Sequence, residues 1–148
     1  MRGVNTDSRR VTRQGTGAVL ARLAVPTGVL AAVVGAFAYV AAVDPNEPGH
    51  YPACPLLQLT GLYCPGCGGL RSAHAFAHGD LAAALQNNAA AVLGYLAFAA
   101  LWTVWVVRTA RGRPVRLDLG PVHLWTLGTL LLVFTVVRNL PFGGWLHP

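Results

Sequence analysis

Apolar positions in this chain gather into three long uncharged runs, 23–43, 81–107 and 119–137, and the polar positions gather between them. Each run supplies or nearly supplies the ~20 apolar residues that a helix needs to cross the hydrocarbon core of a bilayer. The pattern predicts an all-α, polytopic membrane protein with three transmembrane helices. At 1.5 Å per residue the second run would reach ~40 Å against a core of ~30 Å. Its first turns therefore stand in the headgroup layer, with the span proper at about 86–107. Gln86, Asn87 and Asn88 fall at that boundary, and Trp102 and Trp105 lie close to the other, where interfacial aromatics sit.

The first run follows basic residues and ends in small ones, as a cleaved signal peptide would, but it is far longer than a signal h-region of about 7–15 residues. It reads as a retained anchor. Asp118 is the expected N-cap of the third span, with Pro121 in its first turn. At the exit Arg138 is expected to snorkel to the interface, Pro141 to stop the helix and Trp145 to anchor the tail. Gly28, Ala32 and Ala36 on the first span, and Ala90 and Gly94 on the second, recur at a spacing that lets helices approach closely. Packing within the chain is the first expectation for them, and contact in a homo-oligomer the second.

Residues 1–17 are polar and basic and read as a disordered cytoplasmic tail, leaving 18–148 as a single membrane domain. The segment 44–80 is a loop that opens with turn formers, Asp44-Pro-Asn-Glu-Pro-Gly. Within it an alanine-rich stretch, 70–78, predicts a short interfacial helix with Leu70, Ala73, His74 and Ala77 on one face. Gly79 suits the left-handed position that ends this helix, and Asp80 the N-cap of the next.

Charge changes the picture by fixing a direction. All eleven basic residues are arginine, and nine stand in two blocks: Arg2, Arg9, Arg10, Arg13 and Arg22, then Arg108, Arg111, Arg113 and Arg116. Only Arg71 and Arg138 fall in the other two polar segments. By the positive-inside rule the N-terminus and the 108–116 connector face the cytoplasm, and the 44–80 loop faces outward. The net charge of +6 is thus a topology signal, with no separate basic domain for nucleic acid. Arginine without lysine, beside abundant Ala, Gly and Val, points to a GC-rich bacterial genome and so to a bacterial plasma membrane. The spans hold no acidic residue and no arginine, which counts against an ion pump built from this chain alone.

All three cysteines, Cys54, Cys64 and Cys67, lie in the outward loop. Four readings fit them. A structural disulfide suits an oxidising compartment and leaves one thiol over. Thiol–disulfide exchange suits Cys64-Pro-Gly-Cys67 at a helix start, where the helix dipole and Arg71 would lower a thiol pKa. Zinc suits three cysteines with one of His50, His74 and His78 as a fourth ligand. Reduced, buried cysteines in a tight turn need no chemistry at all. Arg71 is expected to meet lipid phosphate or turn carbonyls, to bind an anion, or to pair with Asp80 or Glu47.

The stretch from Cys54 to Asn88, CPLLQLTGLYCPGCGGLRSAHAFAHGDLAAALQNN, resembles a family of small bacterial membrane proteins known as domain of unknown function 2752. The matching positions are Cys54, Pro55, Gly61, Cys64, Pro65, Cys67, Gly68, Arg71, Gly79 and Asp80, and the closing Arg138-Asn-Leu-Pro is similar as well. Leu70 stands where the family has threonine, and Ala89 follows Asn88 where it often has proline, which predicts a less abrupt start to the second span. The resemblance implies membrane residence and a fixed cysteine–arginine turn, with no established activity. The resulting expectation is a non-enzymatic structural or partner-interaction component in the lipid bilayer, its turn fixed by a disulfide. Extracytoplasmic thiol exchange and zinc binding are the alternatives.

Overall fold

The computed structural model describes the backbone of residues 5–113 and 120–146, and side chains at 17, 19–113 and 120–144. All regular secondary structure among the described residues is helical, with no strand. In order they form α1 (Asn5–Ala42), α2 (Pro55–Thr60), α3 (Gly69–Ala77), α4 (Leu81–Ala110), α5 (Pro121–Arg138) and a closing 3-10 turn (Pro141–Leu146).

Among the described residues three helical segments are long and apolar enough to cross a membrane: Val19–Ala42, Leu81–Ala110 and Pro121–Arg138. The backbone of α1 is helical from Asn5, so it continues back into the segment expected as a disordered tail. Asp118 and Arg116 lie outside the described residues, as does the side chain of Trp145. The N-cap expected at Asp118 is taken instead by Gly120, with Pro121 at the first helical position, where its missing N–H costs nothing.

At the start of α4 the expectations for the preceding turn hold. Gly79 has φ +80°, and the Asp80 carboxylate accepts from the Ala83 N–H at 2.9 Å, satisfying a donor that the first helical turn leaves open. The gentle start predicted for the second span is overturned. Asn88 is extended (φ −164°, ψ 94°) inside α4 and divides it. Its Oδ1 accepts from the Ala91 N–H at 2.9 Å and so caps the helix that follows. A side-chain cap thus does what the absent proline would have done. The uninterrupted part, 89–110, spans ~33 Å, close to one hydrocarbon core.

Packing concentrates at one end of the bundle. α3 lies on α4, and both meet α1. Phe37, Phe76 and Tyr95 form the joint, with ring centroids 5.1–6.1 Å apart. The buried face of α3 carries Ser72 and Ala73, while Leu70 is 43% exposed, so the face predicted through Leu70 and Ala77 is rotated. Trp102, expected at an interface, donates instead to the Pro26 carbonyl across the α1–α4 contact at 2.9 Å. Gly28, Ala32, Ala36 and Gly94 are all exposed, and among the described residues nothing comes within 4 Å of a Cβ built at Gly28 or Gly94. α5 packs on the 3-10 turn, which also touches α4. That turn needs glycine at position 143, because a Cβ there would run into the Val137 carbonyl.

Candidate functional site: a cysteine cluster held by the helix ends

Local chemistry brings the three cysteines together. Cys54 is the N-cap of α2, whose first position is Pro55. α2 and the turn after it return the chain to Cys64. The Cys64-Pro-Gly-Cys67 segment then forms a tight turn in which the Cys67 N–H donates to the Cys64 carbonyl at 3.1 Å. Gly68 follows at φ +78°, a conformation that side-chain-bearing residues rarely adopt, and opens α3. The three sulfurs lie within 4.8 Å of one another. Cys54 Sγ is 3.5 Å from Cys64 Sγ, which is 2.9 Å from Cys67 Sγ. The Cys64 N–H points at the Cys67 sulfur at 3.2 Å. The sulfur separations are longer than the ~2.05 Å of a disulfide bond, and none of the three cysteines is cross-linked in the structure.

Side chains from α4 and α5 hold this turn by its carbonyls. Arg138 is fully buried. It donates to the Cys64 carbonyl at 2.9 Å and the Cys67 carbonyl at 3.1 Å. Its guanidinium lies against the rings of Tyr63 and Phe134, 5.6 and 5.1 Å from their centroids. The snorkelling expected of Arg138 is therefore overturned: inward hydrogen bonds and aromatic faces replace the lipid phosphate. Asn139 clasps the residue before the turn, accepting from the Tyr63 N–H at 2.8 Å and donating to the Tyr63 carbonyl at 2.9 Å. Asn88, 1% exposed, donates to the Pro65 and Cys67 carbonyls at 2.9 and 3.0 Å. Tyr95 donates its hydroxyl to the Gly69 carbonyl at 3.1 Å. A carbonyl withdrawn from water, as that of the buried Cys67 is, costs free energy if left without a donor.

The cysteines differ in character. The N–H of Leu57 at the start of α2, followed by contacts with the other two thiols, brings the Cys54 thiol down to about 7. Burial pushes Cys67 up to about 12. The lowering expected at the α3 start is thus corrected. Desolvation outweighs the helix dipole at Cys67, and the acidic thiol is Cys54, at the start of a helix the sequence had not disclosed.

The other predicted residues fall elsewhere. His74 and His78 are not members of the cysteine cluster. His74 Nδ1 donates to the Val40 carbonyl at 2.8 Å, its Nε2 is 3.9 Å from Asp44, and its ring stacks on His78 with centroids 4.4 Å apart. They tie α3 to the end of α1. Arg71 is exposed and makes no hydrogen bond or ion pair among the described residues, so the expected pairing with Asp80 or Glu47 is absent there. Sequence reading passed over Asn88, Tyr95 and Asn139 as site residues. For Asn88 and Asn139 the available signal was placement, as amides near the ends of apolar spans have few partners other than nearby loops; Tyr95, within its apolar run, gave no such signal.

No curated protein and no solved structure matches the chain. Residues 54–102, from the first cysteine through α3 and into α4, match the family described as protein of unknown function (DUF2752), the family expected from the cysteine turn; Arg138 and Asn139 lie outside the matched residues.

Proposed function

We propose that the chain is a three-span plasma-membrane protein whose loop presents a thiolate metal site, with Cys54, Cys64 and Cys67 as ligands to one zinc-class ion. The observation that carries this reading is the convergence of three sulfurs within 4.8 Å from two separate segments. A disulfide uses two cysteines, whereas a tetrahedral ion with bonds of ~2.3 Å needs several sulfurs about this close. Further features agree. The Cys64 N–H already faces the Cys67 sulfur, and Arg138 stands behind the turn with a positive charge. Three thiolates around a divalent ion leave one net negative charge, which that guanidinium favours. The arginine-rich N-terminal segment and connector support a cytoplasmic N-terminus and an outward-facing site. The role is that of a non-enzymatic metal-binding module.

Elemental analysis of protein purified in detergent without chelators tests it. About one zinc per chain is expected, lost in Cys54→Ser, whereas zinc-free protein or full zinc in Cys54→Ser contradicts it. The 2.9 Å approach of Cys64 to Cys67 favours a second reading, a structural disulfide between them with Cys54 left as a thiol. That reading expects a metal-free chain two mass units lighter than the fully reduced one.

A further inference from the structure

A cavity of about 490 Å³ opens beside the cysteine cluster, between the 45–54 segment and the start of α3. Cys54, Cys64, Cys67 and Arg71 are all among the residues that line it. Its size is that of a small-molecule site. Arg71 is the unengaged cation here, exposed and without a hydrogen bond or ion pair among the described residues. The acidic group on the wall, Glu47, lies 3.8 Å from His50 Nδ1.

Resting on the metal reading above, we infer that this cavity admits the fourth ligand, and that the ligand is a low-molecular-weight thiol bearing a carboxylate. A tetrahedral ion on three cysteines has one position left, and His74 and His78 do not supply it, being outside the cluster. Four sulfurs are a common closed ligand set for zinc, which one thiolate from outside the chain would complete. The ligand's thiol releases its proton to solvent, and its sulfur replaces a metal-bound water, so no oxidant or reductant is needed. Arg71 takes the carboxylate through paired N–H bonds, the geometry for which guanidinium is suited. Arg138 is committed to the backbone behind the cluster and leaves this task to Arg71.

The test uses the full chain in detergent loaded with Co²⁺, whose visible absorption reports its ligands. L-Cysteine is the probe, with cysteamine lacking the carboxylate and alanine lacking the thiol. Cysteine is expected to shift the spectrum towards four-sulfur coordination with an affinity about tenfold above cysteamine, and alanine to leave it unchanged. Arg71→Gln should bind Co²⁺ normally but bring cysteine down to the level of cysteamine. Equal binding of cysteine and cysteamine overturns this inference, as do an unaltered preference in Arg71→Gln and removal of the cobalt by cysteine; each leaves the metal site standing. Failure to take up Co²⁺ overturns the metal reading and this inference with it.

Discussion

The two ends of α5 are held in opposite ways. From 121 to 133 each residue is exposed, Trp125 and Val122 by more than seven-tenths. Five residues further on, Arg138 is fully buried, and Asn139 beside it makes three side-chain hydrogen bonds to backbone groups. The same division runs through α4, where Ala84, Asn88 and Val92 are buried near the loop and no residue beyond Val92 is. Apolar surface facing lipid gains little from burial against another helix, since the alternative environment is equally apolar. Polar groups gain much more, because a backbone carbonyl withdrawn from water needs a donor. The polar end is therefore where the chain fixes its shape, and it is also where the cysteines lie.

The sharpest break in that comparison is removal of Arg138. Arg138→Ala should remove one charged donor from each of the Cys64 and Cys67 carbonyls and cost about 3–5 kcal/mol, read as a lower midpoint of unfolding in detergent. An unchanged midpoint would mean that the turn holds itself.

Protons give the next effect. Cys67, at about 12, is protonated in the metal-free protein through neutral pH, and Cys54, at about 7, is protonated below neutrality. Metal binding must expel those protons, so zinc affinity should rise with pH, by about tenfold or more per unit between pH 6 and 8. The sign is fixed: acid returns the protons and weakens binding. Competition titration with a chelating dye would show it, and a flat profile would count against thiol ligands.

Asn88→Ala removes the cap of the second part of α4 and two bonds to the turn. A loss of about 2–3 kcal/mol is expected, with the break in α4 closing into continuous helix. Leu130→Ala at the other end, on a side chain 61% exposed, should stay within about 0.5 kcal/mol. A large loss there would show that α5 is packed along its length.

What could be read in advance follows the same division. Hydrophobic run length is a local property, and it placed the three helical segments apolar enough to cross a membrane within a few residues at each end. The Gly79–Asp80 junction was legible too, because caps depend on neighbours in sequence. The role of Arg138 was not. An arginine at the end of an apolar run has the same sequence whether it reaches lipid phosphate or folds inward. The choice rests on Cys64 and Cys67, more than seventy residues away. The thiol acidities were misplaced for a related reason. Burial of Cys67 is a tertiary fact, and α2, the helix that lowers Cys54, is six residues long, too short for periodicity to announce.

The most direct measurement is a count of reactive thiols in unreduced protein by mass spectrometry, with an alkylating reagent added before and after a strong chelator. A metal on Cys54, Cys64 and Cys67 predicts little alkylation at first and three modified cysteines once the metal is withdrawn. One modified cysteine under both conditions, on a chain two mass units light, would mean a disulfide; three under both would mean free thiols and no metal.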